Sequence, residues 1–448
     1  MEERQENKMG VMNTHRLLIS MSLPMMLSML VQALYNIVDS VFVANFDQRA
    51  LTAVSLSFPI QSLMIALASG TGVGINSMVS RRLGEKRFDE ANKTARNGLF
   101  VEGVSSLLFV IFGIFFARPF FSFFTEDAQT VEYGVQYLSV CTILSLGIFL
   151  QIGGERLLQS TGKTVLNMVT QGIGAITNII LDPILIFGLF GMPRMGCAGA
   201  ALATVIGQWV AMILALVINA KINRELSVSF RGFRPELRII REIYAIGVPS
   251  IIMQAITSVM TVGMNKILGN DVAISVFGVY FKLQSFIFMP IFGLTNAVIP
   301  IVAYNFGARK KQRITDVSRF ALLITVAVMA AGTLIFHLNT KTLLGFFNAD
   351  AAMLEIGIPA LRIISIAFCF SGVCIICASI FQALGHAFWS MIVSMIRQLV
   401  VILPAAYILM HFWGMPAVWF SLPLAELVAM LLSIFLYFKI CKKTLNQL

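Results

Sequence analysis

Apolar residues run in long, nearly unbroken stretches separated by short polar breaks. A membrane-crossing helix needs about 20 apolar residues. Stretches of that length lie at 17–45, 53–79, 97–121, 133–159, 165–190, 197–220, 243–268, 274–304, 318–340, 356–384, 390–412 and 415–438. The pattern predicts twelve transmembrane helices and an all-α, polytopic membrane protein. The breaks hold helix interrupters: Gly162-Lys163, Gly191-Met192-Pro193, Gly269-Asn270-Asp271 and Gly385-His386.

The two halves of the chain match at an offset of 223 residues. Phe58-x-x-Gln61-Ser62 returns as Phe281-x-x-Gln284-Ser285, and Phe123-Phe124-x-x-Asp127-Ala128 as Phe346-Phe347-x-x-Asp350-Ala351. Gly70 and Gly84 return as Gly293 and Gly307, Gln159-x-x-Gly162 as Gln382-x-x-Gly385, and Gly191-Met192-Pro193 as Gly414-Met415-Pro416. Pro24 and Pro249, in the first helix of each half, differ by 225, so about two residues of length change lie between the first two helices. A constant offset across several helices marks an internal repeat. Six helices per repeat is an even number, so both repeats enter from the same side. That makes them parallel repeats, an arrangement suited to alternating access. The predicted lobes are residues 1–220 and 243–448, joined by a basic linker at 221–242.

Composition agrees. The chain is 58% hydrophobic and 12% charged, where a soluble domain has about 25% charged residues. A soluble enzyme or a nucleic-acid binder is excluded as the starting reading. The net charge of +11 reads as the Lys/Arg excess of cytoplasmic loops. Loops on the side of the N-terminus hold 24 Lys/Arg against 5 on the other side, which places both termini in the cytoplasm. Neither Gly-x-Ser-x-Gly, nor His-Glu-x-x-His, nor a metal-spaced His cluster occurs, so no catalytic centre and no cofactor are expected. The six cysteines mostly sit within apolar stretches and read as packing residues.

Polar residues inside spans are functional candidates, because each ionisable one costs about 2.5–3.5 kcal/mol to insert at a helix centre. Gln32, Asn36 and Asp39 share one face of the first helix. Asn178 and Asp182 share a face of the fifth, beside Pro183, which predicts a kink and a freed carbonyl. The sixth adds Thr204. Two carboxylates, an amide and a hydroxyl are hard oxygen donors. If they converge, they suit Na⁺. Alternatively, two neighbouring carboxyls cannot both ionise cheaply and can share one proton. The repeat replaces Asn178, Asp182 and Thr204 by Val401, Ala405 and Leu427, so this cluster belongs to the first half only. Candidate substrate-cavity residues are Gln32, Tyr35, Asn36, Gln61, Gln171, Gln254 and Lys282. Arg397 and Glu426 read as an ion pair within or between lobes, and Glu155-Arg156 as structural.

Several segments resemble one known family. Leu23-Pro24 and Tyr35-Asn36-Ile37-Val38-Asp39-Ser40 look like the first helix of the multidrug and toxic compound extrusion (MATE) transporters. Arg82-Leu83-Gly84-Glu85-Lys86, Leu158-Gln159-Ser160-Thr161-Gly162-Lys163, Asn178-x-x-x-Asp182-Pro183 and Gly199-Ala200-Ala201-Leu202-Ala203-Thr204 fit its later segments. The resemblance covers nearly the whole chain and is closest to the DinF-type and MepA-like bacterial branch. It implies the MATE fold and a cation site at Asp39, Asn178, Asp182 and Thr204. It also implies antiport, in which Na⁺ or H⁺ enters while an amphiphilic, often cationic compound leaves. The expected partners are the lipid bilayer of the cell membrane and a small-molecule substrate, with no nucleic acid, and a monomer suffices. The competing reading is a lipid-linked or metabolite exporter or flippase of the same superfamily.

Overall fold

The computed structural model describes residues 6–347 and 349–445, and the fold is 87% helical. No strand occurs among the described residues. Lipid offers backbone N–H and C=O groups no partner, and helices satisfy those groups within one segment.

The helices follow the hydrophobic stretches and mostly extend past them. In chain order they are α1 (Thr14–Phe46), α2 (Gln48–Gly84), α3 (Phe88–Phe115), α4 (Ala128–Ile143), α5 (Leu146–Ser160), α6 (Thr164–Phe187) and α7 (Cys197–Lys221). The second half has α8 (Leu237–Leu268), α9 (Asp271–Gly307), α10 (Lys311–Leu338), α11 (Ala351–Ser365), α12 (Ala367–Ala383), α13 (Ala387–Met395), α14 (Leu403–Trp413) and α15 (Ser421–Leu436). A π-helical stretch, Ile396–Ile402, joins α13 to α14 within one span. Among the described residues ten helical stretches are long and apolar enough to cross a membrane, and two more are bent pairs: α4 with α5 at 44° and α11 with α12 at 43°. Counted this way the spans number twelve.

Three edges differ from the sequence reading. The third predicted span, 97–121, ends at Phe115, and a separate short helix, Ala117–Phe124, follows. The predicted linker 221–242 is shorter, because α8 already begins at Leu237. The fifth predicted span, 165–190, ends at Phe187, where Gly188 takes the left-handed region (φ 77), and Pro183 lies inside the helix as read. A proline one turn from a helix end removes a single backbone bond near a terminus that is fraying anyway. Residues 1–5 and 446–448, which the charge count assigns to the cytoplasm, lie outside the described residues.

The repeat is visible in the backbone. Gly162 and Gly385 (φ 78 and 84) take the same left-handed conformation, as do Gly191 and Gly414 (φ 82 and 79). So do Lys86 and Arg309 (φ 61 and 56), where neither half has glycine. Asp127 and Asp350 are matched helix caps: each carboxylate accepts a backbone N–H three residues on, from Thr130 and from Met353. The Thr130 hydroxyl and amide hold the exposed Asp127 carboxyl below its ordinary pKa.

The chain divides into two compact units. One is Leu27–Gly247; the other combines the described residues up to Met26 with those from Val248 onward. The divisions fall inside α1 and α8, close to Pro24 and Pro249, whereas the lobes read from the repeat follow chain order. The second unit packs around Phe277, Phe336, Phe368 and Trp419, all buried.

Within the first unit α6 and α7 touch backbone to backbone. A Cβ on Gly207 would stand 2.7 Å from the carbonyl oxygen of Gly174, and a Cβ on Gly174 would stand 2.9 Å from that of Gly207. Gly172, half a turn away on α6, has open space around it. We therefore expect Gly207→Ala to destabilise the protein by about 1–3 kcal/mol through overpacking. Gly172→Ala should be neutral or stabilising by up to about 1 kcal/mol, since alanine is the better helix former. Thermal unfolding of the two variants in detergent separates these outcomes.

Candidate functional site

The glycine contact sets the register of the site. Asn178 lies one turn beyond Gly174 on α6, and Thr204 lies one turn before Gly207 on α7. Their side chains meet: Asn178 Nδ2 donates to Thr204 Oγ1 at 3.2 Å. The same amide donates at 3.4 Å to Asp182 Oδ1, one turn further along α6.

The fourth residue arrives through an apolar cluster. Val43 on α1 and Ile186 on α6 are both buried in one cluster with Tyr137, Cys197 and Ala200. One turn back from each stand Asp39 and Asp182. The two carboxyls interact side chain to side chain. Asp182 is fully buried, Asn178 nearly so, and Asp39 is half-buried. Three buried oxygens of this group accept no hydrogen bond: Asp39 Oδ1, Asn178 Oδ1 and Asp182 Oδ2. Buried polar atoms normally have partners, so a cluster of orphans calls for an explanation. Hard oxygen donors suit hard cations, and two touching carboxyls equally suit one shared proton.

The remaining candidates are dispersed. Gln32 and Tyr35 lie one to two turns before Asp39, with Gln32 hydrogen-bonded to Tyr35, whose phenol lies within electrostatic range of Asp39. Asn36 is exposed. Gln61 donates to Tyr137 Oη at 3.2 Å. Gln171 is committed elsewhere: its Nε2 donates to Glu155 Oε2 at 2.7 Å. Gln254 and Lys282 belong to the other unit, and both are exposed. Gln254 donates to its own helix at Ser250, and Lys282 sits 5.9 Å over the Phe347 ring.

Arg397 and Glu426 pair within one unit, with Arg397 Nη1 at 3.1 Å from Glu426 Oε1 and 3.3 Å from Oε2. Arg397 stands on the π-helical stretch. The sequence reading assigned no buried role to two further groups. Arg82 is buried between Thr94, Glu90 and Glu242, tying α2 to α3 and to the start of α8. In the sequence it stands in a basic run after the second predicted span, Arg81-Arg82 with Lys86 and Arg87, where it reads as one of several solvated loop charges. Glu102 is fully buried on α3. Its signal was plain: a carboxylate five residues into the third predicted span.

Comparison with known proteins settles the family. The MatE family model matches this chain twice, over residues 24–184 and again over 246–408, once in each repeat. The chain belongs to the MatE family. Among curated relatives, the multidrug export protein MepA of Staphylococcus haemolyticus (strain JCSC1435) is 26% identical over 422 residues, covering 94% of this chain and 92% of that one. MepA of Staphylococcus aureus (strain MRSA252) is 27% identical over 413 residues, covering 90% and 89%. Among solved structures, a multidrug resistance MATE family transporter in an outward-facing conformation aligns over 100% of both chains with a TM-score of 0.92 at 24% identity. A MOP superfamily transporter from Pyrococcus furiosus aligns over 100% of both with a TM-score of 0.91 at 24% identity. These two likenesses establish the fold, and this MatE chain shares it from end to end.

The Arg397–Glu426 pair makes a stability test of this MatE protein. Glu426→Leu strands a largely buried guanidinium and should lower stability by about 3–5 kcal/mol, whereas adding Arg397→Met should recover most of the loss. Unfolding of the two single variants and the double variant in detergent checks this.

Proposed function

We propose that this protein is a secondary antiporter of the cell membrane, with both termini cytoplasmic. It exports amphiphilic, often cationic compounds by alternating access, in exchange for Na⁺ or H⁺. The coupling ion binds at Asp39, Asn178, Asp182 and Thr204. The observation that carries this reading is the set of three buried, unpartnered oxygens on Asp39, Asn178 and Asp182 around a single amide donor. Export of drugs is supported by the MepA relatives, which match along nearly the full length.

The chemistry needs no catalytic group. In the ion-bound state the cation, or a proton shared by the two carboxyls, supplies what the orphan oxygens lack. In the ion-free state two buried carboxylates repel one another, and α1, which carries Asp39, is no longer held to α6. An ion that binds one arrangement of α1 more tightly than the other shifts the population between them by that difference in affinity. Asn178 is the positioning residue: its amide keeps Asp182 Oδ1 and Thr204 Oγ1 together. Gln32, Tyr35, Asn36, Gln61, Gln171, Gln254 and Lys282 remain the proposed cavity residues, Gln32 and Tyr35 foremost for their place beside Asp39.

Ethidium efflux from energised vesicles tests the reading, with a Na⁺ or an H⁺ gradient imposed in turn. One gradient should drive efflux, and Asp39→Asn and Asp182→Asn should each abolish it. Efflux that survives both substitutions would remove the coupling site from this place. No efflux by the wild-type protein would favour a lipid or metabolite exporter instead.

Thr204→Val offers a finer check. It keeps the shape and deletes one interhelical hydrogen bond, which in membrane proteins is worth on average about 0.6 kcal/mol. Stability should therefore change little, while gradient-driven efflux falls at least tenfold.

A further inference from the structure

A second buried carboxyl lies in the same unit. Glu102 on α3 is fully buried, and neither of its oxygens meets a hydrogen-bond donor among the described residues. It sits against α5 at Gly153, where an added Cβ would stand 3.3 Å from Glu102 Cγ. Arg156, one turn along α5, is the charge whose field reaches Glu102. Its guanidinium donates to Gln159 Oε1 at 2.9 Å. That oxygen also accepts from Asn76 on α2 at 3.4 Å, and Gln159 Nε2 donates to Asn167 on α6 at 3.4 Å. Arg156 is thus part of an amide lattice joining α2, α5 and α6.

Glu155 shows the contrast. Each of its oxygens receives an amide hydrogen, from Gln151 at 2.9 Å and from Gln171 at 2.7 Å. Donors of this kind, with Arg156 adjacent, favour the ionised form of a carboxyl. Glu102 has no such donors. An ionised carboxylate without donors in an apolar interior is far costlier than the neutral acid.

Other groups on the helices packed against α3 are occupied. Arg82 on α2 is shared by Glu90 and Glu242. Tyr137 and Cys141 on α4 are both held by Gln61. Arg118 and Glu132 pair with each other at an exposed site. Tyr244 on α8 bonds Ser105.

We propose that Glu102 is a second proton-binding site of this protein, neutral while Arg156 is bonded to Gln159 and ionised when Arg156 turns to it. On release the O–H bond of the acid breaks, the proton leaves to solvent, and the Arg156–Gln159 hydrogen bond is exchanged for a Glu102–Arg156 ion pair. The exchange loosens the lattice at Asn167 on α6, the helix that also carries Asn178 and Asp182. The proposal stands on Glu102 and its surroundings and does not depend on the ion reading at Asp39 and Asp182.

Infrared spectroscopy of the purified full chain at neutral pH tests it. The wild-type spectrum should contain a protonated-acid C=O band that Glu102→Gln removes and Glu102→Asp shifts. The band should survive in Asp39→Asn/Asp182→Asn, which separates it from the other carboxyl pair. Arg156→Gln should keep it to higher pH, because the ionised form loses its partner. If Glu102→Gln instead removes only carboxylate stretching bands, or leaves the acid band unchanged, the proposal is overturned. Should Glu102→Gln fail to fold, Glu102→Asp decides alone: a shifted acid band supports the proposal, and an unshifted one overturns it.

Discussion

An unpartnered polar atom in an apolar interior is expensive, and this constraint organises the molecule. It puts the backbone into helices, because only there does every interior N–H find a carbonyl without leaving its own segment. It pairs Arg397 with Glu426 and wraps Glu155 in two glutamine amides. Against that background the exceptions carry meaning. Lone hydroxyl and amide atoms are left unpartnered in several places, but among the described residues the unpartnered carboxyl oxygens fall in two: at Asp39 and Asp182, beside Asn178, on α1 and α6, and at Glu102 on α3. These are the positions at which the proposed ion and proton binding is placed.

The internal repeat keeps geometry more faithfully than chemistry. Arg82 Nε lies 3.3 Å from Glu90 Oε2 in the first half. At the offset positions of the second half, Arg313 Nε donates to Asn305 Oδ1 at 3.1 Å. The contact between the two helices survives, yet the arginine has moved to the opposite partner. The left-handed turns at Lys86 and Arg309 likewise match although neither residue is glycine. Backbone path and helix contact are what a six-helix unit needs to close. Which side of a contact bears the charge is free to change.

Much of this was legible in the sequence, and the limits have physical causes. Span number followed from apolar length, since that signal is strong over about 20 residues. The bend at Ile366 has no proline or glycine beside it, and the one at Leu144–Ser145 has only Gly147, which is common enough in apolar helices to pass unnoticed. The onset of α8 at Leu237 was hidden by its charges: 237–242 reads as loop by hydropathy but is helical, with Glu242 gripped by Arg82. The four candidate oxygen-bearing residues were nameable from spacing within helices. That Asn178 and Thr204 meet depends on Gly174 and Gly207, two small residues whose role appears only when α6 and α7 are laid together, and Asp39 arrives through the Val43–Ile186 cluster. Gln171 shows the converse, for the amide of a polar residue on a helix can be committed to a neighbour such as Glu155.

The π-helical stretch at 396–402 bears on how the halves came to differ. Shifted by the repeat offset it falls on 173–179, the α-helical stretch of α6 that holds Gly174 and Asn178. A π turn packs an extra residue into the circuit, so every side chain beyond it points around the axis by a different angle from its counterpart. The duplicate has therefore diverged in wiring as well as in lettering. Writing an asparagine at 401 and an aspartate at 405 would return the letters of the first half without returning their directions. Two halves alike in pattern have become non-interchangeable parts, and the molecule is more than a symmetric pair with letters changed in one half.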